Sequence, residues 1–107
     1  MIRCALLSTM LSALLGAIAS PTARADEMRV TPLGTGTPTP RICCFSASTL
    51  VEAGQEKLLF EIGRGSTIRL FKKGIPLGAI NAHFITNVHS DHIVGLPDMW
   101  LSGWIGK

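Results

Sequence analysis

The first 25 residues divide this chain in two and set how much of it can fold. Met1-Ile2-Arg3 is a short positive start, and Cys4 to Thr22 carries no charge; Leu6, Leu7, Leu11, Leu14, Leu15 and Ile18 make that run apolar. Ser20-Pro21 break it, and small residues then flank Arg24 in Ala23-Arg24-Ala25. That order of charged, apolar and small residues is the pattern of a secretory signal peptide. Residues 1–25 are therefore predicted to be removed and residues 26–107 to form one domain. Ser8, Thr9, Ser12 and Gly16 interrupt the run, which makes it a poor membrane span. Export to the periplasm or medium is expected, with no membrane contact after cleavage and an oxidising environment for the cysteines.

The 82 residues that remain hold 8 basic and 7 acidic side chains, so the +3 of the whole chain owes much to the leader. A body so nearly neutral, with few aromatics, is not expected to bind nucleic acid. Arg64, Arg69, Lys72 and Lys73 read as the solvated face of one helix. Three cysteines are too few for a disulfide scaffold. The tandem pair Cys43-Cys44 reads as two small, partly buried hydrophobes or as one intermolecular bridge.

Met28–Gly34 alternates apolar and polar residues as a half-buried strand does, and Pro32 marks it as an edge strand. Ser48–Ala53 and Lys57–Ile62, separated by Gly54-Gln55-Glu56, read as a hairpin. A helix is predicted from Gly63-Arg64-Gly65-Ser66 to about Lys73, with Gly74 as its stop. Ile80–Thr86 reads as another strand, with His83 a structural or exposed histidine within it. Ser90 is expected to cap a helix that begins at Asp91. Trp100, Leu101, Trp104 and Ile105 form one apolar stripe of a last helix and are expected in core or interface packing.

The chemistry is concentrated after the last strand, where His89-Ser90-Asp91-His92 puts two imidazoles and a carboxylate within four residues. A turn there can aim neighbouring side chains in different directions. Neutral nitrogen with carboxylate oxygen is a donor set that suits zinc. No helix start or third glycine follows Gly34-Thr35-Gly36, so no dinucleotide fingerprint exists, and a phosphate-binding P-loop is absent from the sequence.

Three segments together resemble the metallo-β-lactamase-fold hydrolases, in particular their ribonuclease Z and arylsulfatase-like branch. These are Leu33-Gly34-Thr35-Gly36-Thr37-Pro38, Leu58-Leu59-Phe60-Glu61-Ile62-Gly63-Arg64-Gly65, and His89-Ser90-Asp91-His92 with Gly95-Leu96-Pro97. The resemblance implies an α/β (α+β layered) domain corresponding to the N-terminal half of an αββα sandwich. It implies two zinc ions, with His89 a ligand of the first and Asp91 and His92 ligands of the second. Asp91 is also a candidate catalytic base. The implied reaction is attack of metal-bound hydroxide on a phosphodiester, a sulfate ester or a related small ester. Asn87 stands where the family's first histidine does, and Glu61 where its buttressing aspartate does. The family's remaining ligands lie downstream of this motif, beyond Lys107. The expectation is thus a truncated member of a zinc hydrolase family, inactive as this chain alone. The alternative is a non-catalytic half-domain that self-associates or assembles with a partner supplying the missing half.

Overall fold

The structure, a computed structural model, describes residues 27–105. The expected leader and its cleavage site lie outside those residues. Strand β1 (Met28–Gly34) pairs antiparallel with β2 (Ser48–Ala53), and β2 pairs antiparallel with β3 (Glu56–Phe60). The chain then crosses through helix α1 (Ser66–Lys72) and a short 3₁₀ turn (Leu77–Ala79) to β4 (Ala82–Phe84). That strand runs parallel to β3, giving the sheet order β1-β2-β3-β4. Two helices close the described chain, α2 (Ser90–Ile93) and α3 (Leu96–Ile105).

The alternation in the strands decides which face is covered, because successive side chains point to opposite sides. Leu50 and Leu59 pair across β2 and β3 and are fully buried beneath Leu70 of α1 and Met99 of α3, with Leu33 and Ile62 completing the core. The other face carries Val30, Val51 and Leu58 in one cross-strand row and Phe60 beside Phe84 in another, their rings stacked at 4.8 Å. Val30 is 56% exposed there, and no described element packs over this face. The helices therefore lie on one face only. Pro32, which has no amide hydrogen to give to a second neighbour, sits on the edge strand where it was expected.

Several expectations need correction. The third strand ends at Phe60 instead of Ile62, because Glu61 adopts φ 63°, which no strand can continue through. The fourth strand is three residues long, since the 3₁₀ turn occupies Leu77–Ala79 and pairing with β3 stops at Phe84. Ser90 does not cap α2: His89 holds the capping position with extended backbone, Ser90 is already helical, and no side chain caps the helix. The stripe of α3 is not core, for Trp100, Leu101, Trp104 and Ile105 are all exposed and only Met99 of that helix is buried. Cys43 and Cys44 are exposed as well, not partly buried. Gly74 does end α1 in the left-handed region, at φ 70°.

Candidate functional site

Parallel pairing of β3 with β4 puts the carboxyl ends of both strands side by side, and the chemistry-bearing residues follow directly from that. In open α/β sheets the crevice outside the carboxyl ends of parallel strands is where ligands gather. Glu61 leaves β3 there, its amide donating to Phe84 O at 2.8 Å. The left-handed backbone of Glu61 turns its side chain toward the loop after β4. Its Oε1 accepts the Thr86 amide at 2.9 Å and also the Thr86 hydroxyl. Its Oε2 lies 3.0 Å from His92 Nδ1, a close contact between carboxylate and imidazole.

Burial pushes the Glu61 carboxyl up, but the Thr86 hydroxyl, the Thr86 amide and His92 outweigh it and hold the group below the ordinary carboxylate range. The carboxylate is thus ionised and binds the end of β4 to α2. The longer side chain of glutamate does not stop it from reaching both partners.

The backbone is stitched at the same place. Ile62 N donates to His92 O at 2.7 Å, and Gly95 N donates to Ile62 O at 2.8 Å. These bonds bring α2 so close that a Cβ on Gly63 would stand 2.3 Å from Asp91 O, and one on Gly95 2.3 Å from Gly63 O. Gly63 and Gly95, both singled out in the sequence motifs, are there because two backbones touch.

The structure brings together Asp91 and His92 but leaves His89 apart. His92 Nε2 faces Asp91 Oδ2 at 3.7 Å, and Asp91 Oδ1 is buried without a hydrogen-bond partner. His89 is exposed and its contacts run to Asn87. Asn87 Oδ1 accepts the His89 amide at 2.9 Å, an Asx turn, and its amide nitrogen lies 3.3 Å from His89 Nδ1. Asn87 is therefore spent within its own loop. Thr86 is the functional residue that the sequence reading passed over. Its signal was available: a hydroxyl at the last position of a predicted strand, next to the motif. His83 stands in β4 opposite Leu59, on the helix-bearing face and away from this cluster. Desolvation beside α3 lowers its pKa.

Zinc requires about three to four protein donors. Among the described residues, no group of three His, Cys, Asp or Glu side chains gathers closely enough to hold an ion. Asp91 and His92 supply two, and His89 does not join them. These residues alone do not fit the zinc ions that the family resemblance implies.

A family model described as Anti-Pycsar protein Apyc1 matches residues 28–104. A ribonuclease Z of Mycobacterium sp. (strain KMS) is 40% identical over 78 residues, which cover 73% of this chain and 27% of that protein. The chain thus spans about a quarter of the length of such curated relatives. Human tRNase Z, short form, superposes with a TM-score of 0.70 at 31% identity, covering 76% of this chain and 31% of that one. The metallo-beta-lactamase fold protein YhfI from Bacillus subtilis superposes with a TM-score of 0.71 at 24% identity, covering 77% and 34%. That second likeness speaks for the fold alone.

Proposed function

Since the chain belongs to the Anti-Pycsar protein Apyc1 family, within the metallo-β-lactamase-fold hydrolases, we propose that residues 28–105 form the metal-loop part of a zinc-dependent phosphodiester hydrolase. The single observation that carries this reading is the Glu61–His92–Asp91 cluster at the paired ends of β3 and β4. It holds one histidine between two carboxylates, with one Asp91 oxygen buried and unused. A phosphodiester is preferred to a sulfate ester because the relatives at 40% and 31% identity are named as a ribonuclease Z and a tRNase Z.

We also propose that this segment does no chemistry by itself. Two converging donors hold zinc poorly, and Asn87 keeps His89 engaged within the loop. The test is a chimera. Residues 28–104 replace the matching stretch of the Mycobacterium ribonuclease Z, with Asn87 kept or changed by Asn87→His. Zinc-dependent cleavage of bis(p-nitrophenyl) phosphate is expected from the Asn87→His chimera. The Asn87 chimera should be lower by more than the about 10–100-fold that losing a residue behind the ligands costs. Two folded but inert chimeras would overturn the hydrolase reading. Zinc-dependent turnover by the unmodified chain, lost in His92→Ala, would overturn the inactivity reading.

A second reading rests on a different observation, the apolar sheet face that no described element covers. It makes the segment a half-domain that buries this face against a second copy or a separate partner. Under either reading export is proposed from residues 1–25, and an intact mass beginning at Asp26 in the exported fraction is the expected result.

A further inference from the structure

We propose that Cys43 and Cys44 form a vicinal-dithiol site that chelates trivalent arsenic, at the rim of the cleft between loop 36–46 and α1. The two thiols are free and exposed, and their sulfurs stand 3.3 Å apart, with Cys44 Sγ donating to Cys43 Sγ. The loop that presents them is fixed at its base. Gly36 N donates to Phe45 O at 2.7 Å, Gly36 bridges Ser46, and a Cβ on Gly36 would stand 2.5 Å from Cys44 O. Phe45, the residue after the pair, is held beneath the Arg69 guanidinium, which lies 4.8 Å from the ring centroid. The pair is thus anchored on its C-terminal side while both sulfurs remain open to solvent.

The surroundings select the ligand. The adjoining cleft, about 300 Å³ in volume, is lined by both cysteines together with Arg69, Lys72 and Lys73, and by no carboxylate or histidine. A hard divalent cation would find no carboxylate there and would meet three positive charges. Soft thiolate sulfur selects thiophilic elements. The bite narrows the choice further. Two sulfurs on a tetrahedral zinc with bonds of ~2.3 Å stand about 3.8 Å apart. Two-coordinate linear ions need more. A pyramidal three-coordinate centre with bonds of similar length and angles near 90° spans about 3.3 Å, given the same ~2.3 Å bonds. Arsenic(III) is such a centre, and arsenous acid is uncharged near neutrality, so the basic cleft does not repel it.

The reaction is a condensation. Two As–S bonds form and two As–O bonds break. The two thiol protons leave with the two hydroxyl groups as water, and arsenic stays trivalent, so nothing is oxidised or reduced. The hydrogen bond to Cys43 and the repulsion between the two sulfurs raise the Cys44 pKa, so its thiol carries the proton that leaves as water.

The experiment uses the full reduced chain with phenylarsine oxide, and with arsenite as competitor, read by native mass spectrometry and titration of free thiols. One arsenical per chain is expected, with Cys43 and Cys44 both protected from alkylation. The adduct should be released by a dithiol and not by an equal concentration of monothiol. Cys43→Ser and Cys44→Ser should each weaken binding by about 10²–10⁴, the advantage of a second linked contact. Cys4→Ser should leave it unchanged. Binding retained in either single-thiol variant, loss of binding in Cys4→Ser, or no adduct on the reduced chain would each overturn the proposal. Both cysteines are exposed, so their serine variants leave the core intact.

Discussion

Glu61 combines two demands that conflict at the level of one residue. Its φ of 63° belongs to the region that costs a side-chain-bearing residue roughly 1–2 kcal/mol. Its carboxylate accepts both Thr86 donors and meets His92. Removing the carboxylate breaks the hydrogen bonds of Thr86, an exposed residue, to a charged acceptor, a loss of about 1.5–3 kcal/mol. Glu61→Ala is therefore expected to destabilise by that amount while keeping the strained backbone. Glu61→Gly loses the same carboxylate but relieves the strain, so it should be more stable than Glu61→Ala by about 1 kcal/mol. Chemical denaturation of the two variants measures the difference. Equal stabilities would mean that the backbone of Glu61 carries no strain.

At the level of elements, α2 is held by contacts between backbones and not by its sequence. It is four residues long and has no side-chain cap, too short to persist alone. What holds it is the pair of hydrogen bonds through Ile62 and the absence of side chains at Gly63 and Gly95. Gly63→Ala places a methyl against Asp91 O and Ala47 O, both backbone atoms that cannot swing aside. It should cost about 1–3 kcal/mol and displace Asp91 from His92. Gly74→Ala, where nothing lies within 4 Å of the new Cβ, should cost only the left-handed strain and leave the His92 environment unchanged. Histidine NMR resonances of the two variants separate the effects; a Gly63→Ala protein with unmoved His92 signals would refute this account of α2. The contrast also shows what the sequence made legible. Met28–Gly34, Ser48–Ala53 and the Gly74 stop follow from local alternation and glycine chemistry and were readable. Strand ends were not, because Glu61 turns left-handed only to satisfy partners 25 and 31 residues away in the chain. The engagement of His89 by Asn87 was equally hidden, although the resemblance already assigned His89 to a different ion from Asp91 and His92, since an Asx turn within the loop leaves no periodic signal.

At the scale of the whole molecule, the two faces of the sheet differ in what they need. One has its helices and a small closed core of Leu33, Leu50, Leu59, Ile62, Leu70 and Met99. A domain of some 80 residues buries only about 60–65% of the surface of its unfolded chain, which leaves little stability in reserve. The other face offers Met28, Val30 and Phe84 to water. Contiguous apolar surface of this kind drives association. The exposed stripe of α3, with Trp104 74% exposed, is a second and separate apolar surface, on the helix side. Sedimentation velocity distinguishes which of them joins copies. Val30→Lys combined with Phe84→Lys puts two charges on the sheet face without touching the core, and should convert associated protein to monomer. Trp104→Lys should leave the association in place. The reverse result would assign the joint to α3. It would remove the reading of the segment as a half-sandwich, because a sheet face that stays exposed in the assembled form is not waiting for a second layer.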